Sequence, residues 1–478
     1  MSKKNGYSSL VSLIFLSGIL FADITAWAVR PDKKTLPIGL TAIEAAMPQN
    51  ILENTARFRT NKPPEVAGIH ALGEWEEASS VMTLWPNPSY IKALGENGKV
   101  QLLADTESDK SWWQNWLKAQ KISDSPFSYI VVPTNSIWIR DYGPWPIIDG
   151  NGTFAFIDNV YNRPRPDDDK VPDVLSKVLG IPEYKTGLVH TGGNFYSDGM
   201  SNAFSSTLVF TENSGLSKTE VLQRMNDFLG IENYVTSPLS PGITIEHLDT
   251  FGKLVAPDTW VFSEFPSSSQ HYGSSEKMVA LLKTLTSPYG TPYKIYRLKM
   301  MPISGNSGSN YRAYLNSFIS NGALYFPTYG DAKDEIAKEI YQKALPGYKI
   351  VGVDNGNTEW GDSIHCRSRN LLNKNTTFLF PHIKSESLKA QKMIPVMVET
   401  YAVEDAQIER ANIVWSVNGV SQPDVAMHSL SLHEYAAVLP GQAEGAHISL
   451  YIHTVDSSGN EKSAPIRAPG MTIDLDIK

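Results

Sequence analysis

Hydrophobic positions recur at intervals of three and four residues in five stretches of the chain, and this spacing predicts five amphipathic helices. A short apolar run follows each stretch and predicts a strand. The helices are predicted at 111–120, 171–179, 219–229, 275–285 and 334–345, and the strands at 129–132, 187–190, 243–247, 293–300 and 349–353. Because the helices begin about 50 to 60 residues apart, the chain from residue 65 to residue 385 is predicted to repeat one helix-to-strand unit.

Five such units allow either an ordinary α/β domain or a closed ring. The placement of polar residues able to do chemistry favours the ring. They follow the predicted strands, at 138–141, 190–198, 247–249, 306–316 and Cys366. A ring would bring these distant segments to one axis, so we predict a ring of five α/β units with a site at its centre.

Beyond residue 385 the helical spacing ends and short runs alternate apolar with polar residues, as at 396–400, 413–417 and 448–452. Turn signals such as Asn418-Gly419 separate the runs. This pattern predicts that residues 386–478 form a small antiparallel β-sandwich of the immunoglobulin-like kind. The chain has a single cysteine, so this domain would lack an inter-sheet disulfide.

The N-terminus has the features of a secretory signal peptide, predicted at residues 1–28. Lys3 and Lys4 precede an apolar run at 10–21, and Ala26-Trp27-Ala28 matches a cleavage site. That run is shorter than the roughly 20 residues of a spanning helix. We therefore expect a secreted or periplasmic protein whose mature chain begins near Val29, with an extended, proline-rich leader at 29–64.

Composition narrows the function further. Charged residues make up 19% of the chain and hydrophobic residues 41%, which permits a sizeable core. The net charge of -8 argues against a nucleic-acid partner or an anionic membrane surface. No later segment is apolar enough to predict a transmembrane helix in the mature chain.

Cys366 lies among the basic residues His365, Arg367 and Arg369. A neighbouring positive charge favours thiolate over thiol and so activates a nucleophile. The alternative is a buried, inert cysteine. Exported proteins generally pair their cysteines, so one unpaired thiol among cations favours a chemical role.

His247 and Asp249 fall on one face if residues 245–249 form a strand. Asp141 lies among aromatic residues, next to Arg140. Taken alone, these groups could be a structural histidine with a surface carboxylate, and an internal ion pair. Two carboxylates, a histidine and a thiol on one axis would instead suit a guanidinium, because carboxylates grip its N–H groups and a thiolate attacks its central carbon.

These motifs resemble the peptidyl-arginine deiminase and agmatine deiminase superfamily over roughly residues 73–372. They are Trp-x-Arg-Asp-Tyr-Gly-Pro from Trp138, His-Thr-Gly-Gly-Asn from His190 with Asp198-Gly199, Glu-His-Leu-Asp from Glu246, Tyr-x-Asn ending at Asn316, and His365-Cys366. The signal peptide, α/β region and β tail are similar to the secreted bacterial peptidylarginine deiminases in particular. The resemblance implies a five-bladed α/β propeller, the pentein fold, without a metal or other cofactor.

It also implies residue roles. Cys366 would be the nucleophile, His247 the proton donor and acceptor, Asp141 and Asp249 the guanidinium clamp, and Asn316 or Asn310 a supporting amide. In the secreted enzymes two arginines hold the carboxylate of a C-terminal arginine, and Arg163 and Arg165 stand at the matching place, where the alternative is a solvated loop. The predicted substrate contacts also include Trp138, Asp198 and Ile245.

The predicted function is hydrolytic deimination of peptidyl-arginine, with C-terminal arginine as the expected substrate. A covalent thiouronium intermediate would yield ammonia and peptidyl-citrulline. The alternatives are an agmatine deiminase producing N-carbamoylputrescine, a cysteine protease, and a secreted adhesion or binding protein without catalysis. Thr244, where an aromatic wall is expected, and a less glycine-rich stretch at 355–363 depart from the family pattern.

Overall fold

The computed structural model describes residues 36–47, 50–238, 245–302, 311–354, 361–402 and 406–478. Its helices are α1 (Ala42–Ala45), α2 (Asn50–Arg59), α3 (Pro88–Asn97), α4 (Glu107–Ala119), α5 (Ile139–Tyr142), α6 (Val171–Leu179), α7 (Leu208–Thr211), α8 (Lys218–Leu229), α9 (Tyr272–Leu282) and α10 (Lys333–Ala344). The first seventeen strands are β1 (His70–Ala71), β2 (Ala78–Thr83), β3 (Val100–Ala104), β4 (Phe127–Val131), β5 (Trp145–Ile148), β6 (Phe154–Val160), β7 (Glu183–Val189), β8 (Tyr196–Ser197), β9 (Asn202–Ser206), β10 (Asn233–Ser237), β11 (Gly252–Ala256), β12 (Thr259–Glu264), β13 (Lys294–Lys299), β14 (Phe318–Ser320), β15 (Ala323–Thr328), β16 (Lys349–Asp354) and β17 (Ser368–Leu372). The remaining strands are β18 (Phe378–Ile383), β19 (Ile394–Tyr401), β20 (Ile408–Val417), β21 (Val420–Ser421), β22 (Val425–Ala426), β23 (His428–Ser429), β24 (Glu434–Leu439), β25 (His447–Asp456), β26 (Glu461–Ala464) and β27 (Ile473–Asp476).

The five predicted helices are confirmed as α4, α6, α8, α9 and α10. Their apolar residues face the core, as Trp113 and Leu117 do in α4. Helix α4 begins four residues earlier than predicted because Thr106 caps it. The Asp109 backbone N–H donates to Thr106 Oγ1 at 3.2 Å, and the Asp109 carboxylate accepts from the Thr106 N–H at 3.1 Å. These polar residues lie outside the apolar period, so spacing alone missed the start.

Five small sheets hold residues 70–372, and each contains the same unit. An antiparallel pair is followed by a helix and then by a strand parallel to the pair, as in β5-β6-α6-β7, β8-β9-α8-β10, β11-β12-α9-β13 and β14-β15-α10-β16. In the fifth sheet β17 pairs with β2, so the two ends of the region share one sheet. Each described sheet is open, so the repeated unit is observed and its closure into a five-bladed propeller stays a prediction.

The strand predicted at 243–247 is not formed by its described residues, 245–247. The strand that follows α8 is β10. His247 instead precedes a 3₁₀ turn at Leu248–Thr250. The Leu248 N–H donates to Asn194 Oδ1 at 3.2 Å, so the backbone here bonds to a neighbouring loop rather than to a strand.

The β tail forms two sheets, β18-β19-β24-β23 and a second one built on β20 and β25. Both contribute to one hydrophobic cluster, with Ile394 and Val396 from the first sheet and Ile413 and Leu450 from the second. The turn predicted at Asn418-Gly419 joins β20 to β21. An immunoglobulin-like fold stays a prediction, and β18 already belongs to these sheets although it precedes residue 386.

The N-terminal region differs from the predicted extended leader, because residues 42–59 include α1 and α2. Helix α2 lies against β6 and β7. Arg59 at its end forms ion pairs with Asp158 and Asp169. The predicted signal peptide lies outside the described residues. Within the described ranges, no helix combines the length and apolarity needed to cross a membrane.

Candidate active site

The Cys366 thiol lies in a fully buried turn just before β17. Asn316 reaches it with Nδ2 at 3.2 Å from the sulfur. The amide oxygen of Asn316 accepts from the backbone N–H groups of His365 at 3.0 Å and Cys366 at 3.3 Å. One side chain therefore fixes both the backbone that carries the thiol and the thiol itself. Asn310, the alternative supporting amide, lies outside the described residues.

His365 lies between two carboxylates. Its Nδ1 is 2.7 Å from Asp249 Oδ2, and its Nε2 is 2.8 Å from Glu74 Oε2. Asp249 Oδ2 also lies 3.7 Å from the sulfur of Cys366. The contact with His365 holds this carboxylate beside the thiol.

Glu74 anchors this arrangement from behind. It accepts from the Ile319 N–H at 2.9 Å and pairs with Arg140 Nη2 at 2.6 Å and with Lys253. Burial alone would raise the pKa of Glu74, but Lys253, Arg140 and His365 hold that pKa well below its usual range. Glu74 is therefore ionised, and each of its oxygens contacts two nitrogen atoms.

Asp141 and His247 face the same space from other parts of the fold. Asp141 lies in α5, and its Oδ1 is 3.5 Å from His247 Nδ1. Thr191 Oγ1 contacts the other ring nitrogen of His247 at 3.0 Å. Both Asp141 oxygens, Asp249 Oδ1 and His247 Nδ1 are buried without a hydrogen-bond partner of normal geometry among the described residues. Such a set of unpaired acceptors is costly unless a donor-rich ligand enters.

Gly193 brings these groups around one point. A β-carbon at this residue would lie 2.6 Å from His247 Nδ1, 2.8 Å from Asp141 Oδ1 and 3.1 Å from Asp249 Oδ2. No larger residue fits there, and the three groups must all lie within a few ångströms of one another. Although His247 and Asp249 do not lie on a strand, the 3₁₀ turn still brings them to one place.

The electrostatics differ from the sequence expectation for the thiol. Burial and the nearby charge of Asp249 raise the pKa of Cys366 well above its ordinary value. The adjacent cations do not offset this effect, since Arg367 donates to the Asp362 carboxylate and Arg369 to the Pro144 carbonyl. The prediction that neighbouring arginines activate the thiol is therefore wrong for the protein alone, where Cys366 is a neutral thiol.

Two other site groups are also neutral without a ligand. Burial and the nearby charge of Asp249 raise the pKa of Asp141 to about 8. Burial lowers the pKa of His247 to about 3, even though the charge of Asp249 opposes this. A cation among these groups would favour the carboxylate and the thiolate together.

A family comparison agrees with this geometry. The model of the family described as Porphyromonas-type peptidyl-arginine deiminase matches residues 70–371. The chain belongs to this family. The resemblance inferred from the motifs is confirmed, and the matched region contains each residue of the site described above.

Several individual relatives of this chain are named after a different substrate, agmatine. A curated Enterococcus faecalis protein, provisionally named as an agmatine deiminase, is 25% identical over 352 residues, which is 63% of this chain and 95% of that protein. The solved agmatine deiminase of E. faecalis has a TM-score of 0.57 at 22% identity, covering 66% of this chain and all (100%) of its own. A substrate-bound agmatine deiminase variant of C. jejuni has a TM-score of 0.56 at 23% identity, with coverages of 64% and 96%. These structural likenesses support the α/β fold of this deiminase superfamily.

Three residues that were predicted to contact the substrate, Trp138, Ile245 and Asp198, differ from one another in their surroundings. Trp138 is buried directly before α5, and Arg367 stacks on its ring with the guanidinium carbon 5.2 Å from the ring centre. Ile245 is buried two residues before His247. Asp198 accepts instead from Tyr293 at 2.9 Å and from Asn202 Nδ2 at 2.7 Å. Through these hydrogen bonds Asp198 holds a loop in place, which differs from its predicted contact with the substrate.

The two predicted carboxylate-binding arginines are both buried. Arg163 donates from Nε to the Ile38 carbonyl at 3.1 Å, and its charge acts on Asp141 and His247. Arg165 pairs through Nε with Glu44 Oε1 at 2.8 Å. The alternative of a solvated loop is therefore wrong, and both side chains contact the N-terminal residues.

Sequence reasoning missed the supporting residues Glu74, Thr191, Gly193, Lys253 and His365. His365 and the Thr-Gly-Gly run lay inside motifs already noted, so the motifs marked these positions without showing what they contact. Lys253 and Glu74 carried no comparable signal. Their role depends on contacts between residues far apart in the sequence.

A separate acidic cluster lies on and beside the β6-β7 sheet. Asp158, Asp173 and Glu183 have oxygens close enough to hold a cation. Lys185 already lies 2.5 Å from Asp173 and 3.4 Å from each of the other two, and Arg59 also pairs with Asp158. The cluster is therefore an ion-pair network.

Proposed function

We propose that this protein hydrolyses the guanidinium group of arginine to a ureido group, releasing ammonia. The observation that carries the proposal is the set of unpaired acceptors on Asp141 and Asp249, gathered around Gly193 beside a thiol. A guanidinium offers a planar fork of N–H donors to two carboxylates. Its positive charge also offsets the burial and the repulsion by Asp249 that keep Asp141 protonated.

The proposed reaction begins when the bound cation lowers the pKa of the thiol and of Asp141. The Cys366 proton passes to His247, and the sulfur forms a bond to the guanidinium carbon. His247 then protonates one nitrogen, the C–N bond breaks and ammonia leaves a thiouronium intermediate. Water, deprotonated by His247, adds to the same carbon as a hydroxyl group. This hydroxyl loses its proton to solvent as the carbonyl forms and the C–S bond breaks, which releases the ureido product and the thiolate.

Within this reaction we propose C-terminal peptidyl-arginine as the substrate. Arg163 lies close enough for its charge to act on both Asp141 and His247. Arg165 pairs with a carboxylate within the chain itself, so its surroundings suit that group. Agmatine is the second candidate, favoured by the names of the relatives, but it has no carboxylate for these arginines to bind.

The proposal extends to architecture and location. The five similar sheets would form the blades of a pentein propeller around the Cys366 site, with the β tail as an immunoglobulin-like domain. The N-terminal signal pattern supports export to the periplasm or beyond. A partner peptide would then be encountered outside the cytoplasm, where proteolysis creates new C-termini.

The test compares four substrates with the purified protein: a peptide ending in arginine, its amidated form, a peptide with internal arginine, and agmatine. Ammonia is measured together with citrulline or N-carbamoylputrescine. We expect the free-acid peptide to have a kcat/KM at least about tenfold above its amide, since a charge-assisted hydrogen bond contributes about 1.5–3 kcal/mol. Faster turnover of agmatine than of any peptide would favour the second candidate, and peptide cleavage without ammonia would reject the deiminase reaction.

A further inference from the structure

Residues 36–47 lie on the two arginines that are proposed to bind the substrate carboxylate. Glu44 places Oε1 2.8 Å from Arg165 Nε and Oε2 3.2 Å from Arg165 Nη2. The same Nη2 donates to the carbonyls of Pro37 at 2.9 Å and Gly39 at 3.0 Å. With Arg163 bound to the Ile38 carbonyl, both guanidinium groups are engaged by one segment of the chain itself.

The Glu44 pair has the form that a substrate carboxylate would adopt. Both of its oxygens contact one guanidinium, and the two side chains are only 10% and 2% exposed. Oε2 also accepts from the Thr41 N–H at 2.7 Å, while Thr41 Oγ1 accepts from the Glu44 N–H at 3.2 Å. The short helix α1 thus holds the Glu44 carboxylate in the position from which it contacts Arg165.

The rest of the segment has little apolar attachment to the protein. Helix α1 buries none of its residues, and Leu40, Ile43 and Met47 are 47%, 77% and 38% exposed. Ile38 is the residue of this segment that packs against the hydrophobic cluster of the α/β region that includes Trp113 and Leu117. The position of residues 36–47 therefore depends chiefly on polar contacts with Arg163 and Arg165, which a competing carboxylate can replace.

We propose that residues 36–47 are an internal ligand of the arginine pair, with Glu44 in the place of the terminal carboxylate of a substrate. Displacement or removal of this segment opens the site to peptides ending in arginine. The inference rests on the proposed C-terminal-arginine activity, and it adds a regulator to that activity. The Cys366 chemistry itself is untouched, so substrates without a carboxylate are not affected.

The first experiment measures kcat/KM for a free-acid arginine peptide and its amide in the wild type, Glu44→Gln and Glu53→Gln. Glu53 is the matched control, because it lies on α2 and accepts from Ser214 Oγ at 2.6 Å instead of contacting the arginines. Loss of a charge-assisted pair changes affinity by about tenfold or more. We expect Glu44→Gln to raise kcat/KM for the free-acid peptide about tenfold through a lower KM, with the amide and the control unchanged.

Two results would overturn the inference while leaving the deiminase proposal intact. In one, Glu44→Gln has the same kcat/KM as the wild type for each of the two peptides. In the other, Glu44→Gln loses activity on both peptides and melts earlier, which means that the segment supports the fold. If every variant turns over agmatine and neither peptide, the C-terminal-arginine proposal fails and the inference falls with it.

A second readout does not require turnover. Hydrogen exchange of residues 36–47 is measured in Cys366→Ala with saturating free-acid or amidated peptide. Displacement of the segment should speed exchange in these residues with the free-acid peptide only. Equal exchange with both bound peptides contradicts the inference.

Discussion

The two halves of the candidate site differ in how completely their polar groups are bonded. In the bonded half, which comprises Cys366, Asn316, His365, Glu74 and Oδ2 of Asp249, each carboxylate oxygen has a donor or an imidazole nitrogen within 3 Å. In the open half, which comprises Asp141, His247 and Oδ1 of Asp249, the facing atoms lack such partners among the described residues. The fold completes the first half, and we infer that the substrate cation completes the second.

This difference separates the demands of stability from those of binding. A buried carboxylate surrounded by cationic side chains, like Glu74, is stabilised in its charged form. A buried carboxylate without a side-chain donor, like Asp141, keeps its proton until a cation arrives. The same residue type therefore serves as an anchor in one half and as a receptor in the other.

The largest expected effect comes from Cys366→Ala, which removes the nucleophile of the bonded half. We expect kcat to fall at least about a thousandfold, because no other group forms the covalent bond. The melting temperature should stay close to that of the wild type, since the lost volume is small. Ammonia release and thermal unfolding check the two parts, and residual turnover within tenfold of the wild type would contradict a covalent mechanism.

The next largest loss of activity is expected when either clamp carboxylate is replaced. Asp141→Asn and Asp249→Asn should each lower kcat/KM by roughly a hundredfold, because an amide cannot replace charge at the reacting centre. Their effects on stability should differ. Asp249→Asn should lower the free energy of unfolding by about 1–3 kcal/mol, because His365 loses its charged partner.

Asp141→Asn should be neutral or stabilising, increasingly so at high pH. The raised pKa of Asp141, about 8, means that the folded protein holds a proton that the unfolded chain releases near pH 4. The wild type therefore loses this contribution to stability as the pH rises from about 4 to 8, whereas the asparagine variant has no such titration. Denaturant titrations at pH 5 and pH 9 measure the free energy of unfolding of the wild type and the variants. If Asp141→Asn and Asp249→Asn changed this free energy in the same way, the contrast between the two halves of the site would be contradicted.

A smaller effect on activity is expected for Glu74→Gln, which lies behind the site. Because it leaves Lys253 and Arg140 buried with less charge compensation, we expect a loss of about 3 kcal/mol or more in stability. Activity should fall about tenfold, through the contact of His365 with Asp249. Adding Lys253→Met should recover part of the stability but not the activity; recovery of both would mean that Glu74 acts through folding alone.

Much of this arrangement could be predicted from the sequence because it is written in local patterns. The apolar spacing located α6 at the residues observed, and the motifs brought Asp141, His247, Asp249, Asn316 and Cys366 to one site. Asp249 and His247 were placed together for the wrong reason, since His247 directly precedes a 3₁₀ turn that contains Asp249. Two residues apart on a tight turn can converge as well as two on one face of a strand.

The remainder could not be predicted because it depends on burial and on contacts across the chain. Arg367 lies next to Cys366 in sequence, yet its charge is paired with Asp362, so chain proximity misled the reasoning about the thiol. Arg165 could be placed near a substrate, but its pairing with Glu44 joins residues 121 positions apart. Asp198 stood in a motif and is occupied by Tyr293 and Asn202, which no spacing reveals.

The most direct test of the open half is proton release on substrate binding. Calorimetry of Cys366→Ala with a peptide ending in arginine, in buffers of different ionisation enthalpy, counts the protons. Since the pKa of Asp141 is about 8 in the protein alone and the guanidinium is always charged, binding at pH 6.5 should release close to one proton, and binding at pH 9 close to none. Below pH 8 the affinity should increase about tenfold for each unit by which the pH is raised. Adding Asp141→Asn should abolish both the proton release and this pH dependence. Binding at pH 6.5 without proton release would contradict the account that the substrate cation completes this half of the site.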